Sequence, residues 1–173
     1  MVKKVAIVLL STIIGNSLYA GNYDTNTKGF LGLEVGAATV DGDRSDGLKH
    51  NGKAVEYGLR LGAQNEEWRA TFALDYFNSG SDDQKMQKGY GMVDYFFTGS
   101  DSTVRPFVGA NVGYAHYEST LVDANGLLYG GQAGVVVGVS ANIDLDLSYR
   151  YSLMQVNAVN NTGSIVFGFN YVY

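Results

Sequence analysis

The side chains that could do chemistry are few and widely separated. Glu34, Arg60, Asp94 and Arg150, with Arg69, Asp75 and Asp146, are charges set singly into stretches that are otherwise small or apolar. Isolated charges in such surroundings must pair with one another, because an unpaired buried ion costs several kcal/mol. Glu34, Arg60, Asp94 and Arg150 are therefore expected to form an interior cluster, either a structural plug or the gate of an ion path. Two histidines complete the inventory. His50 stands in a polar stretch, and His116 opens the run His116-Tyr117-Glu118-Ser119, which holds the residue types of a nucleophile, a base and an acid. In an extended chain successive side chains point to opposite faces, so His116 and Glu118 share a face that Ser119 does not. That is not the geometry of a triad. Asp41 to Gly47 has the composition of a calcium loop, yet Asp46 stands where such a loop needs its turn glycine and Gly52 where it needs glutamate. No catalytic, metal or cofactor site is expected.

Those charges must be held by strands. The chain has 23 glycines, one proline, 13 tyrosines and 8 phenylalanines, a composition too aromatic for disorder and suited to a tightly curved sheet. With no cysteine there is neither a disulfide nor a thiolate metal site. Residues 1–20 read as a secretory signal: Lys3 and Lys4, the apolar stretch Val5 to Ile14, and Leu18-Tyr19-Ala20 before a cleavage point at Gly21. The apolar stretch is shorter than the roughly 20 residues a spanning helix needs. The remaining chain, 21–173, is long enough for one domain. Its net charge, already −5 with both signal lysines counted, argues against nucleic-acid binding.

Alternation over 21–173 gives eight segments of the 9 to 11 residues or more that a tilted spanning strand requires. They are 29–40, 53–64, 68–77, 87–97, 105–118, 128–140, 145–154 and 163–173. One face carries Leu31, Leu33, Val35, Tyr57, Leu59, Leu61, Trp68, Phe72, Leu74, Val108, Val112, Leu147, Tyr149, Phe167 and Phe169. The other carries glycines with Glu34, Glu56, Arg60, Asp75, Asn111, Gln132, Asp146, Arg150 and Asn170. Strand four has the weakest alternation, and Asp94 sets its phase, placing Val93, Tyr95 and Phe97 outward. An interior of glycines and charges cannot be the core of a water-soluble barrel, so the apolar face must meet lipid and the sheet must close to leave no edge. The expected fold is an all-β, eight-stranded, antiparallel, up-and-down transmembrane β-barrel. Short links at 65–67, around Gly99 and at 141–144 would be periplasmic, and 41–52, 78–86, 119–127 and 155–162 external. Trp68, Tyr95, Phe97, Tyr171 and Tyr173 would form one aromatic girdle, and Tyr57, Tyr76, Tyr114 and Tyr129 the other.

The segment Pro106-Phe107-Val108-Gly109-Ala110-Asn111-Val112-Gly113-Tyr114, the stretch Leu147-Ser148-Tyr149-Arg150-Tyr151, and the closing Gly168-Phe169-Asn170-Tyr171-Val172-Tyr173 resemble the OmpA-like and opacity-type outer-membrane barrels. The resemblance implies a place in the outer membrane of a Gram-negative bacterium. It also implies that Phe169, Tyr171 and Tyr173 form the terminal signal read by the barrel-insertion machinery. It does not extend to the peptidoglycan-binding domain of full-length OmpA proteins, so cell-wall anchoring is not implied. Some small outer-membrane barrels modify lipid A, but the His116 to Ser119 spacing departs from the His-x-Ser pattern of the deacylases among them. The expected partners are outer-membrane lipid, the insertion machinery, and surface or host ligands reached through the loops. The expected role is non-enzymatic, structural or adhesive, with a narrow ion or solute channel as the alternative.

Overall fold

The computed structural model describes residues 27–43, 49–79, 84–99, 101–119, 123–156 and 159–173. The signal segment 1–20 and Asp82 lie outside these residues, as do most of the calcium-like loop and the His50 side chain. Eight strands follow in chain order: β1 (Lys28–Asp43), β2 (Lys49–Gln64), β3 (Trp68–Ser79), β4 (Gln84–Phe96), β5 (Val104–Ser119), β6 (Asp123–Ser140), β7 (Ile143–Val156) and β8 (Val159–Val172). Each pairs antiparallel with its chain neighbour, and β1 with β8 closes the barrel. Gly29 and Tyr173 finish that closing seam by exchanging both backbone hydrogen bonds at 2.9 Å.

The expected segments all fall within or nearly within these strands, and the phase assigned to β4 is the observed one: Asp94 is buried while Val93 and Tyr95 face out. One end of the barrel, here the turn end, has tight connections. At the β2–β3 hairpin the Asn65 carboxamide oxygen accepts from the backbone N–H groups of Glu67 at 2.9 Å and Trp68 at 2.7 Å, the local bonding that makes Asn a turn residue. Between β6 and β7, the Asn142 side-chain amide donates to the Val172 carbonyl at 2.8 Å, tying the turn to β8. Asp144, assigned to this turn on sequence, instead lies in β7 and points inward.

At the opposite, loop end the strands run further than the alternation suggested. The stretches 41–52, 78–86, 119–127 and 155–162 are mostly ladder: Asp43 pairs with Lys49, Ser79 with Gln84, Glu118 with Asp123, and Val156 with Val159. Their polar composition reads as loop, but here the pattern changes sense. Val40, Phe77, Met86, Tyr117, Leu128, Met154 and Val159 are inward and buried, whereas Thr39, Lys53, Asn78, Lys85, Gln87, Glu118, Asn125 and Gln155 are outward and exposed.

The outer wall between the two ends is a continuous apolar belt. Trp68 and Tyr95 meet edge-on at 4.9 Å between ring centres near the turn end, and Tyr57, Tyr76, Tyr114 and Tyr129 are exposed toward the loop end. β3 runs from Trp68 to Tyr76 between these rings. At about 3.3 Å per residue and a tilt near 40°, that segment spans roughly 20 Å of height, close to the apolar band of a membrane barrel.

Candidate functional site in the barrel lumen

The lumen is filled in layers, and the register shows why the charges fit. Glu34 lies opposite Gly58 on β2 and Gly168 on β8, and Asp75 lies opposite the same Gly58. A side chain at Gly58 would collide with the Glu34 and Asp75 carboxyl arms, and one at Gly168 with the Arg60 guanidinium. Glycine at these two positions leaves the room in which charged side chains can extend across a narrow barrel.

Three of the four residues expected to cluster do so directly. Glu34 bridges Arg60 at 3.3 Å and Arg150 at 3.0 Å, and Arg150 also holds Asp75 at 2.9 Å. Asp94 sits in the adjoining layer, reached through intermediates. Arg60 contacts Asp146 at 3.3 Å, Asp146 contacts Arg69 at 2.6 Å, and Arg69 contacts Asp94 at 2.8 Å. Gln132 closes the circuit by donating to Asp94 while accepting from Arg150 at 3.3 Å. Asn170 accepts from Arg60 at 2.7 Å. Toward the turn end Asp144 holds Arg105 at 3.3 Å and accepts from Gln64 at 2.8 Å. Toward the loop end Lys88 pairs with Glu56.

Every buried cation among the described residues thus meets a carboxylate, which offsets the desolvation a lone ion would suffer. Aromatic faces add to this: Arg69 lies 4.5 Å from the Phe107 ring centre, Arg105 4.3 Å from Phe96, and Arg150 4.8 Å from Tyr90, within cation–π range. Lys88, Arg105 and Asp144 were not anticipated as cluster members. Lys88 is six residues from Asp94, so the phase that turned Asp94 inward also turned Lys88 inward, and Arg105 shares the parity of inward Phe107.

Above the Lys88–Glu56 pair the lumen changes character. Val40, Phe77, Met86, Tyr117, Leu128, Met154 and Val159 belong to one apolar cluster there, which Tyr90 and Met92 continue down β4 past Lys88 into the charged layer. The expectation of an interior made of glycines and charges is therefore corrected for the loop end, where the outside of the barrel is polar and the inside can be a conventional core, and in part toward the turn end, where Phe96, Phe107 and Val136 form a second buried apolar cluster. At the turn end the bore opens into a recess of about 610 Å³ bordered by Lys28, Gln64, Asp101, Arg105 and Asp144.

His116 sits on β5. Its side chain lies on the outward face near the loop end, and its Nδ1 is 2.7 Å from the Asn125 carboxamide oxygen. Among the described residues no three metal-ligating side chains converge. Phe169 and Tyr171 face outward on β8 and Tyr173 is exposed just after it, with Tyr171 and Tyr173 stacked at 6.5 Å.

No protein-family model and no curated protein matches the chain. Solved structures do. Neisserial surface protein A is 22% identical with a TM-score of 0.68, over 83% of this chain and 96% of that one. Outer membrane protein H of P. aeruginosa is 21% identical with a TM-score of 0.60, over 84% and 99%. Ail, the attachment invasion locus protein of Yersinia pestis, is 16% identical with a TM-score of 0.53, over 86% and 100%. The fold is that of these small transmembrane β-barrels, here with eight strands.

Proposed function

We propose that this chain is a non-enzymatic outer-membrane protein of a Gram-negative envelope. Its barrel is a closed structural element, and its loop end faces outward as a contact surface. The observation that carries this reading is the double seal of the lumen: a cross-linked network of ion pairs within the belt, capped by an apolar core. An ion entering from the loop end would first be desolvated among Phe77, Met86 and Leu128, then have to displace paired charges, and both steps oppose conduction. Recording from the refolded protein in planar bilayers tests it. The expected trace shows no stable current, and a steady wild-type conductance would favour the channel reading instead.

The signal segment and the terminal aromatics belong to the same proposal. Export with cleavage before Gly21 would appear as an intact mass starting at that residue in the outer-membrane fraction. Tyr173→Ala should reduce assembly in cells, where the insertion machinery reads the last strand, while leaving refolding of the purified protein into lipid unimpaired. Equal assembly of mutant and wild type would remove the signal role from Tyr173.

For the outward surface, the likeness to Ail supports an adhesive role, and a structure of Ail in complex with the heparin analogue sucrose octasulfate exists at 17% identity. The stretches between strands at the loop end, 44–48 and 80–83, contain Asp46, Asp82 and Asp83 against Arg44. That balance favours a contact surface for neutral or basic groups over one for sulfated sugars. Attachment of cells bearing the wild-type barrel, compared with cells bearing Gly-Ser replacements of both stretches, tests the adhesive role; equal attachment would leave the structural role alone.

A further inference from the structure

The barrel wall has an opening that neither sealing nor adhesion uses. The β2–β3 ladder runs from Gln64↔Arg69 only as far as Glu56↔Phe77, although β2 begins at Lys49 and β3 continues to Ser79. On either side the ladders go on, β1–β2 to Asp43↔Lys49 and β3–β4 to Ser79↔Gln84. The two strands therefore part above Tyr57 and Tyr76, leaving a recess of about 410 Å³ lined by Lys53, Val55, Tyr57, Tyr76 and Asn78 with Ala54 and Ser79. A side-chain bond crosses it, from the Ser79 hydroxyl to the Lys53 carbonyl at 3.4 Å.

The lining is graded along the membrane normal. Tyr57 and Tyr76 are cross-strand partners in the aromatic ring that marks the edge of the hydrocarbon, with Val55 just beyond them. Lys53 stands four residues past Tyr57, roughly 10 Å higher for a tilted strand. That is the level of lipid headgroups, which a flexible lysine can reach by bending along the wall. Lys53 is exposed and has no ion-pair partner among the described residues. Its β1 neighbour across the ladder is Thr39, which is neutral.

We propose that the parted seam between β2 and β3 binds one phosphorylated lipid of the outer leaflet, with the phosphate on the Lys53 ammonium and an acyl chain against Val55, Tyr57 and Tyr76. Asn78, exposed on the opposite wall, supplies an amide donor to the same headgroup. Lipid also covers the part of the wall where backbone pairing has stopped. A groove that is apolar at its base and capped by a cation unpaired among the described residues matches the amphipathic order of such a lipid, and the barrel's own surroundings present it at high concentration. The inference rests on the barrel lying in the outer membrane and not on the lumen being closed or the loops adhesive.

The test is lipid retention, read by native mass spectrometry of the full refolded chain released from phosphatidylcholine nanodiscs doped with bisphosphorylated lipid A. Migration as a compact unboiled band first establishes that each sample is folded in lipid, so a failure of the barrel reading is seen separately. The wild type should retain one lipid A in preference to phosphatidylcholine. Lys53→Gln should reduce retention about tenfold, the loss of one charge-assisted contact. Lys28→Gln, at the turn end and far from the seam, should retain as the wild type does. Dephosphorylated lipid A should be retained as poorly as by Lys53→Gln, and inorganic phosphate should not displace the bound lipid. Equal losses in Lys53→Gln and Lys28→Gln would mean diffuse surface attraction and overturn the site. So would equal retention of phosphatidylcholine, displacement by inorganic phosphate, or a peptide in place of the lipid.

Discussion

The lower and upper halves of the lumen differ in where they put their charges. Within the belt, where Leu33, Leu59 and Leu74 face lipid, the interior holds Glu34, Arg60, Asp75, Asp146 and Arg150, with Phe96, Phe107 and Val136 packed beneath them toward the turn end. Nearer the loop end, where Lys53, Asn78 and Gln155 face outward, the interior is Val40, Phe77, Met86, Leu128 and Met154. The same strands pass through both halves without a break in the ladder at most seams. What differs is the medium outside. Lipid takes the apolar side chains and leaves the polar ones to satisfy one another; water takes the polar ones and returns the apolar ones to the centre. The upper half is in effect a water-soluble barrel continued from the rim of a membrane barrel.

The largest expected effect tests the lower half. Glu34→Ala removes the carboxylate that bridges Arg60 and Arg150 and leaves each guanidinium with one carboxylate, Asp146 and Asp75, in a closed bore. Breaking one side of a buried pair typically costs about 3 to 5 kcal/mol, and a loss within that range is expected because two guanidinium groups lose one of their two carboxylates. Urea unfolding from lipid vesicles should show a midpoint far below that of Gln155→Ala, an exposed change at the loop end. A midpoint equal to the control would show water entering the bore and would remove the argument for a seal.

Next in size is the upper half. Phe77 is fully buried between Glu56 on β2 and Met86 on β4, so Phe77→Ala should cost about 3 kcal/mol through lost packing and the cavity left behind. If the upper lumen were a hydrated vestibule, the same change would be nearly neutral. Measured against Glu34→Ala in the same vesicles, similar losses by different causes are expected. High salt should leave the Phe77→Ala loss unchanged, because it has no electrostatic origin.

The outer wall gives a third contrast. Leu59→Arg places a cation at mid-belt, where the cost in a membrane barrel is about 2 to 4 kcal/mol, whereas Asn78→Arg beyond the tyrosine ring should cost about 0 to 1 kcal/mol. Equal costs would mean that the belt has been drawn at the wrong height, and with it the division between the two halves.

How far the sequence discloses these halves differs for a physical reason. In the belt, outward residues such as Leu31, Leu33 and Val35 alternate with Gly32, Glu34 and Gly36, a contrast large enough to reveal strand, phase and inward charge together. Beyond the belt, inward apolar residues are spaced among residues as polar as any loop, as in Asn78, Ser79, Gln84, Lys85, Met86 and Gln87. A single buried Met86 there carries too little pattern to mark a strand. Long-range partners were hidden for another reason. Arg69 and Asp146 are separated by 77 residues, and nothing in either strand alone says that they meet. The face each occupies is written locally, but the layer in which they meet depends on the closed register of all eight strands.

The smallest expected effect falls on the boundary itself. Among the described residues Lys88 and Glu56 form the ion pair nearest the loop-end apolar cluster, and Glu56 lies opposite Phe77 while Lys88 lies opposite Asp75. Between them the pair therefore has neighbours in both halves. Lys88→Met alone leaves the Glu56 carboxylate without its cation and should lower the unfolding midpoint markedly. Adding Glu56→Leu removes the stranded charge and extends the apolar core downward by one layer. Replacing a buried pair by apolar residues of similar volume is often neutral or stabilising by about 1 to 4 kcal/mol, so the double variant should recover the wild-type midpoint or exceed it. Asp75 keeps Arg150 at 2.9 Å throughout, which is why loss of Lys88 is tolerable there. A double variant as unstable as the single would mean that Lys88 is held for Asp75 as well as for Glu56. The two halves would then meet at a fixed electrostatic layer and not at a boundary that apolar packing can move.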